Sequence, residues 1–232
     1  MQTAIVRYVG ALAIGSMLLL PAQAVAHGNK SVDENSAHDH SHDQDRVQDH
    51  PHDSDDAIYK GYFDESQIEA RMLSDWEGDW QSVYLYLQNG TLDPVMAHKA
   101  EQGDKSVEEY RAEYETGYTT DVDRIVISGN SVAFYRDGDI VEGRYATDGY
   151  EILTYKKGNR GVRFIFRKTG GDDEAPQFIQ FSDHRIAPAQ ADHYHLYWGD
   201  DREALLEELT NWPTYYPSSL GGNEIVGAMM AH

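Results

Sequence analysis

The 232-residue chain contains no cysteine. That excludes thiolate zinc sites, iron–sulfur clusters, cysteine nucleophiles and disulfide staples, and leaves imidazole and carboxylate as metal-ligand chemistry. An exported domain of this size buries enough core to stand without disulfides. Basic residues are scarce: 19 Lys and Arg face 40 Asp and Glu, a formal charge of −21. This balance argues against nucleic acid or an anionic membrane surface as partner, and favours solubility and the attraction of cations. Neither an HExxH motif nor a nucleophile elbow is present.

Long apolar runs are also missing, except at the start. Arg7 precedes an apolar stretch at residues 8–20, and Ala22-Gln-Ala24 and Ala24-Val-Ala26 both suit a small-residue cleavage site. Residues 1–26 therefore read as a secretory signal peptide. The stretch falls short of the roughly 20 residues a membrane span needs. Cleavage after Ala26 leaves His27 at the mature N-terminus and no membrane span. The expected location is outside the cytoplasm, in the periplasm.

Residues 27–56 have almost no large apolar side chains and read as a disordered tail. His38, His40, His42, His50 and His52 are interleaved with Asp39, Asp43, Asp45, Asp49, Asp53, Asp55 and Asp56. Five of the fifteen residues from 38 to 52 are His, too many for an ordinary solvated linker. Alternating imidazole and carboxylate suits a flexible, weak, multi-ion chelator. His27, with its free amine, joins these as an auxiliary low-affinity ligand.

The folded domain is expected over residues 57–232. A short helix is read at 59–71, with Asp64 as N-cap, then helices at 84–88, from Pro94 to about 101, and at 107–118 behind the Ser106–Glu109 capping box. From Asp121 the period becomes two, with strand-like runs at 124–128, 131–136, 140–146, 150–156 and 162–168, separated by Gly, Asn and Asp turns. A helix at 203–211 and a last one at 223–230 follow. The fold class is mainly β with added helices (α+β), a calycin- or lipocalin-like antiparallel barrel or half-barrel.

The chemistry concentrates at 180–198. Two β-like runs, 178–186 and 193–198, flank a breaker containing Pro188. Side chains two apart on a strand share a face, so His193 and His195 point the same way. With a loop at 187–192, Ile186 sits opposite His193 and His184 opposite His195. Three imidazoles then share one face, close enough to converge on one divalent ion. A slip of one residue would send His184 to the other face. Three His leave a fourth zinc position open, for water, a carboxylate or a tail His. Two other uses remain: a zinc-dependent hydrolase or lyase working at that open position, and a barrel holding an organic ligand in its mouth among the 16 tyrosines.

Several strings resemble one family. They are Leu73-Ser-Asp-Trp76-Glu-Gly78-Asp-Trp80-Gln-Ser-Val-Tyr84, Gly149-Tyr-Glu-Ile-Leu-Thr-Tyr155-Lys, Gln180-Phe-Ser-Asp183-His184, His193-Tyr-His195, Asn211-Trp-Pro-Thr-Tyr-Tyr-Pro217 and the Met229-Met230-x-His232 end. With the His-rich N-terminus they are similar to the ZinT (YodA) family, over nearly all of the mature chain. The resemblance implies a calycin-like barrel with added helices and periplasmic zinc binding under zinc scarcity. It also implies binding of cadmium and related ions, and delivery of zinc to the periplasmic zinc-binding component of a zinc ABC transporter. The family's three His ligands fall on His184, His193 and His195. Copper, nickel and cobalt also suit such a donor set. Some members carry a cysteine pair in the barrel, which this chain lacks.

Overall fold

The computed structural model describes residues 51–156, 158–207 and 209–231. The expected signal peptide, His27, His38, His40, His42 and His50 lie outside them, as does His232. Eight antiparallel strands close into a barrel in sequence order: β1 (Gly78–Ser82), β2 (Arg124–Ser128), β3 (Ser131–Arg136), β4 (Asp139–Thr154), β5 (Arg160–Gly171), β6 (Phe178–Ser182), β7 (Tyr194–Gly199) and β8 (Thr214–Pro217). The closing seam pairs β1 with β8, Gln81 opposite Tyr216. The barrel is thus complete rather than half-open.

Among the described residues five helices are added: α1 (Pro51–Tyr59), α2 (Tyr84–Gln88), α3 (Asp93–Gln102), α4 (Val107–Tyr118) and α5 (Gly222–Met230). The Ser106 box forms as read, with Glu109 N–H donating to Ser106 Oγ at 3.2 Å and Ser106 N–H to Glu109 Oε2 at 2.8 Å.

Two cores share the barrel wall. Inside, Trp76, Phe134, Phe164, Phe166, Phe181, Leu196 and Tyr215 fill the bore. Trp76 arrives from a 3₁₀ turn at Leu73–Trp76 and stacks on Phe181 at 4.6 Å. Outside, α2–α5 pack Val83, Leu87, Met96, Tyr110, Tyr118 and Ile225 around Tyr216. The bore is packed with these side chains.

Four expectations differ from the fold. The helix read at 59–71 is replaced by the end of α1 and a 3₁₀ turn at Glu65–Gln67. Gly61, at φ +85°, breaks it, since a Cβ there would lie 2.3 Å from the Arg160 carbonyl oxygen. Pro51–Asp56, placed in the unstructured tail, belong to α1, which starts on a proline as helices favour. The runs at 140–146 and 150–156 are one strand, because Asp148-Gly149 makes a bulge against β5 instead of a turn. The helix read at 203–211 shrinks to a 3₁₀ turn, Ala204–Leu206. Arg202 is held by Asp148 and Glu151, and Asn211 by the end of α4, which leaves the segment too constrained to coil.

Candidate metal centre

On β7, Tyr194 and Leu196 point into the bore, so His195 and Tyr197 face outward toward the helices. On β8, Tyr215 points in, while Thr214 and Tyr216 face out. The three histidines gather at the β6–β7 end of the barrel, His195 on the outer face of β7 and the other two in the loop before it, beside a cleft that α1, α3 and α4 help to line.

The hairpin register expected from sequence does not form. Strand β6 stops at Ser182, and it is Ser182 that pairs with His195. His184 lies in the loop at φ +63°, a left-handed backbone that costs a non-glycine residue about 1–2 kcal/mol. His193 precedes β7. The loop is longer than the 187–192 assumed because Ile186 and Ala191 are drawn inward as barrel core, pulling both ends out of the ladder. The outcome nonetheless brings the three rings together: one nitrogen from each of His184, His193 and His195 lies within 4.8 Å of the others. Ring centroids are 5.7 to 6.1 Å apart.

This loop is stapled to the segment ahead of β1. Buried Arg71 donates through Nη1 to Asp183 Oδ1 at 2.6 Å, through Nε to Asp75 Oδ2 at 2.9 Å, and through Nη2 to the Ala189 carbonyl at 2.7 Å. Ala191 N–H donates to the Asp75 carbonyl at 2.8 Å, and Glu69 N–H to that of Ile186 at 2.9 Å. Arg185 and Asp192 form an ion pair across the loop. Sequence reasoning missed Arg71; the Arg71 and Asp75 spacing of four was visible, but nothing local tied it to a loop 112 residues away.

Each imidazole has its own support. His184 stacks on Tyr59 of α1 at 4.5 Å. His193 is 8% exposed and lies almost parallel to Tyr216, at 5.1 Å and 11°. His195 Nδ1 is 2.8 Å from Thr214 Oγ1, and that hydroxyl donates its one proton to the Trp212 carbonyl at 2.9 Å. Thr214 must then accept from His195, which fixes the proton on Nδ1 and leaves the Nε2 lone pair for an ion. Burial, and then the charges of His184, His193 and Arg163, hold the His195 pKa well below its ordinary value. A neutral imidazole is the form that ligates a metal.

The donor set suits zinc. A tetrahedral ion with Zn–N of about 2.1 Å places ligand nitrogens roughly 3.4 Å apart, so closure around an ion needs about 1 Å of ring movement. Beside the rings is a cavity of about 540 Å³, with Lys99, Tyr118, Tyr155, Arg163 and Trp212 among its walls. His52 lies in α1. His98 is bonded instead to Gln102 on α3. Among the described residues no helix is long and apolar enough to cross a membrane.

A family model described as ZinT (YodA) periplasmic lipocalin-like zinc-recruitment matches residues 54–232. The probable metal-binding protein YrpE of Bacillus subtilis is 61% identical over 176 residues, covering 75% of this chain and 70% of YrpE. The zinc-binding lipoprotein AdcA of Streptococcus pneumoniae is 47% identical over 177 residues, covering 75% of this chain but 35% of AdcA. The solved Zn(II)-bound ZinT-like domain of Streptococcus pneumoniae AdcA superposes with a TM-score of 0.72 at 46% identity, covering 75% of this chain and 97% of that domain.

Proposed function

The chain belongs to the ZinT (YodA) family, and from that membership we propose that it captures zinc on His184, His193 and His195 and hands it on. The role common to the family and these relatives is metal binding, not catalysis. The observation that carries the reading is the approach of the three ring nitrogens to within 4.8 Å, two from a loop held by the buried Arg71–Asp183 ion pair and one from β7. Zinc is the cargo. Cadmium, copper, nickel and cobalt fit the same donors by ligand type.

In the finer reading the chain is exported, loses residues 1–26, and works in the periplasm or its equivalent. It passes zinc to the substrate-binding protein of a zinc ABC importer. Residues 27–56 form a separate ion-gathering unit, with His27, His38, His40, His42, His50 and His52 as weak auxiliary ligands. Residues 57–232 form the carrier domain. Two features support transfer: one coordination position is left for a recipient's ligand, and His184 sits exposed at the rim.

Zinc titration with metal analysis, on the wild type and on a His184→Ala/His193→Ala/His195→Ala variant, tests the site. Loss of the tight binding class, with weak tail binding kept, is the expected result. An unchanged tight class would remove the assignment.

A further inference from the structure

One buried cation beside the histidines, Arg163, has no carboxylate or hydrogen-bond partner among the described residues. Arg163 is 3% exposed. It lies between Val162 and Phe164, both in the bore, so it projects to the outer face of β5. Phe164 pairs with Phe181; the next step of that register brings Arg163 level with Ser182, which pairs with His195. Its guanidinium carbon lies over the Tyr197 ring, 3.2 Å from the centroid. Nε and Nη1 are buried and make no hydrogen bond. No carboxylate among the described residues pairs with it, although the other two cavity arginines, Arg160 and Arg185, are paired with Glu65 and Asp192. Burying an unpaired charge is costly, and a guanidinium does not escape by deprotonating.

The same cavity holds Lys99, whose ammonium lies 5.5 Å over Tyr114. Glu113, its one lining carboxylate, is taken up by Lys105 at 2.6 Å. Inside a strongly acidic protein this cleft is locally cationic before any metal arrives. Its volume, about 540 Å³, is that of a small-molecule site, and Tyr118, Tyr155, Tyr197, Trp212 and Met229 offer flat or apolar walls.

We propose that this cleft binds a small organic carboxylate, one oxygen reaching the metal's fourth position and the other held by Arg163, its carbon body lying against the tyrosines. The inference rests on the metal reading above and adds the ligand that completes it. A planar carboxylate matches the guanidinium geometrically, and a charge-assisted bond of this kind raises affinity roughly 10- to 150-fold.

The test uses the whole chain loaded with Co(II), whose visible bands report a fourth ligand. Acetate and succinate are titrated into wild type, Arg163→Met and Arg163→Lys in carboxylate-free buffer. Saturable band shifts are expected in the wild type, with a dissociation constant at least 10-fold higher in Arg163→Met and partial recovery in Arg163→Lys. All three are titrated at saturating Co(II), so that a change in metal affinity from losing the Arg163 charge beside His195 does not enter the comparison. Equal carboxylate affinity in wild type and Arg163→Met overturns the proposal, as does equally tight binding of chloride or inorganic phosphate. Should the triple histidine variant take up Co(II) with the same spectrum, the metal reading fails by itself. Thermal shift of metal-free protein with succinate then decides the Arg163 half: a rise in Tm lost in Arg163→Met supports it, and no rise overturns it.

Discussion

The inner and outer faces of the same four strands, β5 to β8, are put to opposite uses. Inward go Phe164, Phe181, Tyr194 and Tyr215, close-packed and dry. Outward go Arg163, Ser182, His195 and Thr214, polar and aligned across the strands. The period of two makes this division possible within one short stretch: Tyr194 and His195 are neighbours in sequence, yet one holds the barrel together and the other faces the cleft. Stability and ligand binding are thereby assigned to alternate residues, so each can be perturbed with limited effect on the other.

The hardest blow to the inner face is Trp76→Ala. Removing a fully buried indole that stacks on Phe181 should cost about 3–5 kcal/mol in urea unfolding. Zinc affinity of the folded fraction should stay near wild type; a parallel loss would mean that the faces are not separable. Arg71→Met attacks the join between them. It strands buried Asp183, which should cost about 3 kcal/mol and loosen the 183–193 loop, lowering stability and zinc affinity together. An effect on stability alone would show that His184 does not depend on this staple.

Thr214→Val touches only the outer face. It removes the acceptor for His195 Nδ1–H at nearly constant volume, and zinc affinity measured by chelator competition should fall roughly 10- to 100-fold while Tm moves little. No change would place control of the tautomer elsewhere. Asn211→Ala should be mildest. Asn211 Nδ2 donates to the carbonyls of Thr116, Gly117 and Thr119 at 3.1, 3.0 and 2.9 Å. Losing those bonds, two of them exposed, should cost about 1 kcal/mol by thermal unfolding, without altering zinc affinity.

Local signals in the sequence were read correctly where structure is local. The Ser106 capping box, Pro94 at the start of α3 and the Asn89-Gly90 end of α2 each depend on neighbours within four residues. The strands on either side of Gly129-Asn130 follow their turn in the same way. What failed depends on distant partners. Thr214–Pro217 becomes a strand only because Gln81 and Tyr194 lie on either side of it. The three histidines come together, but not through the register that the periodicity implies. His184 arrives by a loop in left-handed conformation, fixed from Arg71, and no periodicity carries that information.

The run Asn211-Trp212-Pro213-Thr214-Tyr215-Tyr216-Pro217 gives nearly every residue a separate task. Asn211 caps α4 and Trp212 packs on Gly117. The Pro213 carbonyl accepts from Leu196 N–H, and Thr214 orients His195. Tyr215 fills the bore, Tyr216 underlies His193, and the Pro217 carbonyl receives Gln81. Deleting a single codon inside it would exchange the two tyrosines between the faces, unlatch the seam and mis-set two imidazoles at once. The length of this run is therefore as constrained as its composition, and insertions should be tolerated only beyond its two ends.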